Sequence, residues 1–188
     1  MEIALTKKNI YSDKKMYLIA AVVTVIVVLL MVIRQSSVYD ILNVAFLSVT
    51  ISMTMYFDLK MRIVPNEIIL VALGLRLLML VIIMMTNIQG FSYIFIDSLV
   101  GGAFLLLILM VARLINKGLG AGDIKLFLAI GLYVGFNGAF NILFYTILVS
   151  FVFAILALLT KKMSMKDSLP MVPFVLVGFM ATMLLGGI

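Results

Sequence analysis

The chain contains neither histidine nor cysteine, so general acid–base work falls to eight carboxylates, ten lysines and seven tyrosines. Without His or Cys there are no Ser-His or Cys-His nucleophile pairs and none of the commonest zinc ligands. Two of the carboxylates stand out by position. Asp58 closes the apolar run "ISMTMYFDLK", and Asp123 opens the run "GAGDIKLFLAIGLYVGF" directly behind Gly120 and Gly122. Either aspartate alone reads equally well as the marker of a helix end. As a pair they suggest a specific chemistry. Two carboxylates about 3 Å apart do not both ionise, so they share one proton. The ionised partner takes a proton from a water held between them. The protonated partner hydrogen-bonds a carbonyl oxygen and then protonates it. The outcome is hydrolysis of a peptide bond with no covalent intermediate, no cofactor and no metal. Gly120 and Gly122 carry no Cβ, so an extended substrate backbone has room to come close to Asp123. The plainer reading of these glycines is a flexible turn.

These residues must be positioned by apolar elements. Hydrophobic residues make up 65% of the 188, and the mean hydropathy is +1.32, beyond the range of ordinary soluble domains. The apolar runs are long enough to cross a hydrocarbon core of roughly 30 Å, which takes about 20 helical residues, and none shows the polar face that a soluble bundle needs. The spacing predicts an all-α, polytopic transmembrane bundle of about seven spans, near residues 16–33, 39–57, 66–86, 92–115, 123–136, 139–160 and 170–187. The split between the fifth and sixth falls at the Gly/Asn turn "GFNGAFN". The basic front of the chain resembles that of a signal peptide, but the apolar run behind it is long and has no small-x-small cleavage site after it, so an uncleaved first span is expected.

Lys and Arg cluster in four places: the N-terminus, "DLKMRIVPN", the segment around Arg113, Lys117 and Lys125, and "KKMSMKD". Seven spans put all four clusters on one side, which the positive-inside rule makes cytoplasmic. The N-terminus is then inside, the C-terminus outside, and Asp58 and Asp123 both lie at the cytoplasmic border although 65 residues separate them in sequence. The net charge of +6 is therefore a topology signal facing the lipid bilayer, and no nucleic acid is expected as a partner. Loops are short and no repeat is visible.

Other residues invite lesser roles. Pro65 leads into the third span at a position that tolerates a missing N–H. Glu67, in the first turn of that span, reads first as a helix-start charge. Lys125 sits just behind Asp123, where it could tune the pair's charge, meet a substrate carboxylate or bind lipid headgroups. Arg76 and Asp97 are the charges placed deepest in spans, and a structural ion pair between them is expected.

At the two aspartates the sequence resembles the type IV prepilin peptidases, including the archaeal preflagellin peptidases, which are GxGD-type membrane aspartic proteases. Three stretches carry the resemblance: "FDLKMRIVPNEI", "GAGDIKLFLAIGLYVGF" and "LPMVPFVLVG". The resemblance implies that Asp58 and Asp123 are the catalytic pair. Beside the pair, Gly120 and Gly122 read as a substrate-approach loop, with Lys125, Pro65 and Glu67 as candidate supporting residues. The resemblance also implies that the substrates are pilin-like or flagellin-like precursors, cleaved after a short basic leader at the cytoplasmic face. Larger bacterial members carry two Cys-x-x-Cys pairs and N-methylate the mature pilin. With no cysteine here, no methyltransferase activity is expected. The family core has six spans, so residues 38–188 are expected to form it, with residues 1–37 as an added basic segment and span. Three other readings compete: a GxGD protease of broader specificity, a membrane assembly factor with no chemistry, which leaves the paired aspartates unexplained, and a proton-coupled transporter relaying protons through the same aspartates. The transporter reading would prefer acids near the midplane.

Overall fold

The computed structural model describes residues 10–115, 119–160 and 169–186, and within them every regular element is helical. The basic residues Lys7, Lys8, Lys117, Lys161, Lys162 and Lys166, together with Glu2 and Asp167, lie outside the described residues. Among the described residues six helices follow in order: α1 (Lys14–Ile33), α2 (Val38–Met61), α3 (Asn66–Thr86), α4 (Ile88–Ile115), α5 (Ala121–Leu159) and α6 (Val172–Leu185). Five of the six are long and apolar enough to cross a membrane, and α6 is a shorter apolar helix. Their outward faces carry side chains such as Leu29, Leu70, Leu77, Leu107 and Phe151, all exposed. Apolar surface on this scale is stable facing lipid and not facing water. The protein is a multi-pass helical bundle, as the composition requires.

Local sequence sets the helix ends. Asp13 caps α1 by accepting the Lys15 N–H at 3.0 Å, and Ser37 caps α2 by accepting the Asp40 N–H at 3.2 Å, the usual use of short polar side chains at orphan helix-start amides. α2 stops where Arg62 turns left-handed (φ 54°) and returns its N–H to the Asp58 carbonyl at 2.9 Å. Pro65 (φ −68°) then fixes the chain's approach to α3.

The fifth and sixth expected spans are the two halves of α5, divided as expected at the start of the Gly/Asn turn, where Gly135 (φ 68°, ψ −170°) leaves the helical conformation. At 1.5 Å per residue an unbroken helix of 39 residues would far exceed one bilayer crossing, and the break resolves this by reversing the chain. Before it, Gly131 lies against the backbone of Gly101 in α4. After it, Phe136 and Phe140 pack on Phe104 of the same helix, with ring centroids 5.0 and 6.2 Å away. The Asp97 carboxylate accepts the Phe136 N–H at 3.1 Å, satisfying an amide freed by the break. This bond also corrects the expected ion pair between Arg76 and Asp97. Asp97 is committed to the break, and Arg76 turns instead to neutral oxygens. It donates to the Tyr39 hydroxyl at 2.6 Å, to Asn43 Oδ1 at 2.7 Å and to the Ser98 hydroxyl, and it lies over the Tyr133 ring.

The core runs the length of the bundle, with Leu47 and Ile51 of α2, Leu105 of α4, Phe127 and Ile130 of α5 and Phe179 of α6 fully buried. Small residues allow close helix approach where lipid offers no hydrophobic drive. A Cβ on Gly101 would stand 2.6 Å from the Gly131 carbonyl oxygen, and one on Gly178 would stand 2.8 Å from the Thr146 amide. A second cluster gathers Ile10 and Met16 against Tyr56, Phe57 and Ile68. There Tyr11 packs on Phe57 with centroids 4.7 Å apart, and the Tyr56 hydroxyl donates to Asp13. That hydroxyl, with the Lys15 amide, holds the Asp13 carboxyl below its ordinary range. The segment before α1 is thereby fastened to the last turns of α2.

Candidate active site

Asp58 and Asp123 arrive at the same end of the bundle by different routes. Asp58 lies in the last turn of α2, only 5% exposed. Its Oδ2 accepts the Val172 N–H at 2.9 Å, and the Met171 amide is also directed at it. Val172 opens α6, whose first amides have no helical partner of their own. A helix start therefore supplies donors to a buried carboxylate, with the positive end of the dipole facing the negative charge.

Asp123 is the third residue of α5, half-buried. Its carboxylate reaches back to the Gly120 N–H, as the third helical residue does in a capping box. The geometry explains both glycines within the chain itself. A Cβ on Gly120 would lie 2.9 Å from Asp123 Oδ2, so a side chain there would compete with the carboxylate for space. A Cβ on Gly122 would lie 2.8 Å from Val64 Cβ, so the start of α5 rests directly on the α2–α3 loop.

The two carboxylates line one cavity of about 330 Å³, together with Arg62, Val64, Asn66, Gly120, Gly122 and Lys125. They are close enough for the charge of Asp58 to act on Asp123. Lys125 Nζ donates to Asn66 Oδ1 at 3.2 Å across the cavity rim. Pro65 is buried directly before the rim residue Asn66, at the N-cap of α3. Glu67 faces elsewhere, lining a separate apolar groove of about 390 Å³ with Tyr11, Phe46, Met53 and Ile68. The spacing of the sequence brought out Asp58, Asp123, the glycines and Lys125. The Val172 and Met171 amides carry no signal of their own in a sequence, because backbone donors have no residue type. Val64 and Asn66 were legible only as parts of the "RIVPN" loop.

The fold and the cavity define a class: a multi-pass helical membrane protein with two carboxylates lining one cavity at one end of an apolar bundle. Comparison with protein families places the chain within that class. The model of the type IV leader peptidase family matches residues 41–159, more than half of the chain and both aspartates, and the chain belongs to this family. Its membership makes it a peptidase of the leader-peptidase kind. Comparisons with curated proteins and with solved structures gave no match.

Proposed function

We propose that the protein is an aspartic endopeptidase. In this reading it removes the short basic leader of pilin-like or flagellin-like precursors at the cytoplasmic face of the membrane. The observation that carries it is that Asp58 and Asp123, from helices far apart in sequence, line a single cavity. One shared proton between them makes one partner a base and the other an acid. The base takes a proton from water, whose oxygen attacks the scissile carbonyl carbon. The acid gives its proton to the carbonyl oxygen. Collapse of the tetrahedral intermediate breaks the C–N bond: the proton taken from water passes to the leaving amine, and one hydroxyl of the gem-diol returns its proton to the carboxylate that acted as acid, which restores the shared proton and leaves the product carboxylic acid. Val172 and Met171 keep the Asp58 oxygens in place, and the Gly120 amide does the same for Asp123. The loop at Gly120 and Gly122 admits the extended substrate backbone. Pro65 and Lys125 support the pair through the start of α3 and the cavity rim, while Glu67, at the same helix start, belongs to the neighbouring groove.

The basic side of the chain faces the cytoplasm in this proposal, with the N-terminus inside and the C-terminus outside. Residues 38–188 act as the catalytic core, in keeping with a family match that begins at residue 41, and the first 37 residues are an addition to it. No methyl transfer is involved.

The test is co-expression with a tagged precursor bearing a basic leader and an apolar N-terminal helix, read as a gel shift. The parent chain cleaves, and Asp58→Ala and Asp123→Ala do not, at equal amounts in the membrane. Cleavage that survives both substitutions refutes the pair.

A further inference from the structure

The two aspartates sit on elements that share little direct contact. Asp58 ends α2, Asp123 begins α5, and α3 and α4 intervene in the chain. Carboxylates that share a proton across one water tolerate only a small error in separation. Something must therefore hold the end of α2 and the start of α5 in register. Asn43 Nδ2 donates to the Tyr133 carbonyl farther along the two helices, and at the site end two contacts lie nearest Asp123. One is apolar, Val64 of the α2–α3 loop seated on Gly122 so closely that no Cβ fits between. The other is polar, Lys125 Nζ donating to Asn66 Oδ1 at 3.2 Å, between the first residue of α3 and the second turn of α5.

We infer that the Lys125–Asn66 hydrogen bond is a clasp that sets the distance between Asp58 and Asp123, which makes Lys125 a positioning residue acting through Asn66. The inference rests on the peptidase reading above for its catalytic consequence, but its structural content is independent of that reading. Both side chains are exposed at the cavity rim, while Asp58 lies buried at its floor. The ammonium thus has a neutral oxygen as its partner in the structure and is held at the joint between the two loops. A lysine serving lipid headgroups would have no need of Asn66, and one serving mainly as a nearby charge would do so whatever stood at position 66.

The chain lacks cysteine, so spin labels at Leu59→Cys and Ala121→Cys, both exposed positions, report the separation of the end of α2 from the start of α5. The parent gives one narrow distance distribution, and Lys125→Met and Asn66→Ala each broaden it. An unchanged distribution in both variants overturns the clasp, whatever the enzyme does. In cleavage assays each single variant lowers kcat about 10-fold with KM held within about twofold, as small misplacements of reacting groups do. The double variant is no worse than either single one, because both remove the same bond. Lys125→Arg, which still reaches Asn66, and Asn66→Asp, which still accepts, recover most of the rate. Multiplying losses, or a raised KM at unchanged kcat, assign Lys125 to the substrate and overturn the inference. A parent chain that cleaves no leader precursor overturns the peptidase reading, and the label distances then still decide the clasp.

Discussion

Val172 donates its backbone N–H to Asp58 Oδ2 at 2.9 Å across 114 residues of sequence. The bond ties the last described helix of the bundle to one of the two cavity carboxylates, and it allows the part Asp58 plays in the fold to be separated from the catalytic role proposed for it. Asp58→Asn keeps an oxygen that accepts from Val172, so its thermal midpoint in detergent stays near that of the parent while cleavage is lost. Asp58→Ala leaves buried amides without an acceptor, at a cost of about 1–3 kcal/mol, and lowers both. Paired melting curves and cleavage assays check this. An Asp58→Asn protein that cleaves at the parent rate contradicts the role assigned to Asp58.

The two loop glycines should fail in different ways. Gly120→Ala sets a methyl group against the Asp123 carboxylate and lowers cleavage by about 10-fold or more, the scale of a small displacement of a reacting group, with little loss of folded protein. Gly122→Ala meets Val64 instead, so the second substitution Val64→Ala should restore part of its activity and none of that of Gly120→Ala. Cleavage rates of the four proteins test both claims.

Gly135 combines a positive φ with a neighbour that leaves no room, since a Cβ there would stand 1.8 Å from Asp97 Oδ2. Gly135→Ala should therefore reduce folded yield severely. Asp97→Ala removes the acceptor for the Phe136 amide without straining the backbone and should cost about 1 kcal/mol, as the loss of a helix cap does. Detergent melts that rank the two the other way round would remove the break from its structural role.

Arg76 holds Tyr39, Asn43 and Ser98 with a planar fork that lysine does not reproduce. Arg76→Lys and Arg76→Ala should both lower folded yield more than they lower the specific activity of the protein that remains. Equal yield with lost activity would move Arg76 into the chemistry.

Much of this molecule was legible in the sequence because lipid imposes a simple rule: apolar runs of sufficient length become helices, and the charges between them mark the ends. Asp58 and Asp123 could be placed at one end of the bundle on that rule alone. The pairing of Arg76 could not. Two opposite charges in neighbouring spans suggested each other, but the freed amide of Phe136 had the stronger claim on Asp97, and that amide exists only because the chain breaks at Gly135. The glycines of the loop suggested room for a substrate. Their immediate neighbours are Asp123 and Val64, close contacts that residue types cannot disclose. The donors to Asp58 are main-chain groups, invisible to any reading by residue type, although the segment that carries them, "LPMVPFVLVG", was distinctive enough to be noticed.

The reversal at Gly135 has a consequence that is a matter of parity. Between Asp58 and Asp123 the chain crosses the bundle twice, along α3 and α4, so an even number of crossings returns it to the side it left. From Asp123 to Val172 it must do so again for the α6 amides to meet Asp58, and α5 manages this only because Gly135 divides it into two opposed halves. A straight α5 would deliver α6 to the wrong face. The left-handed turn of one residue thus decides, from the opposite end of the bundle, whether Asp58 has its donors.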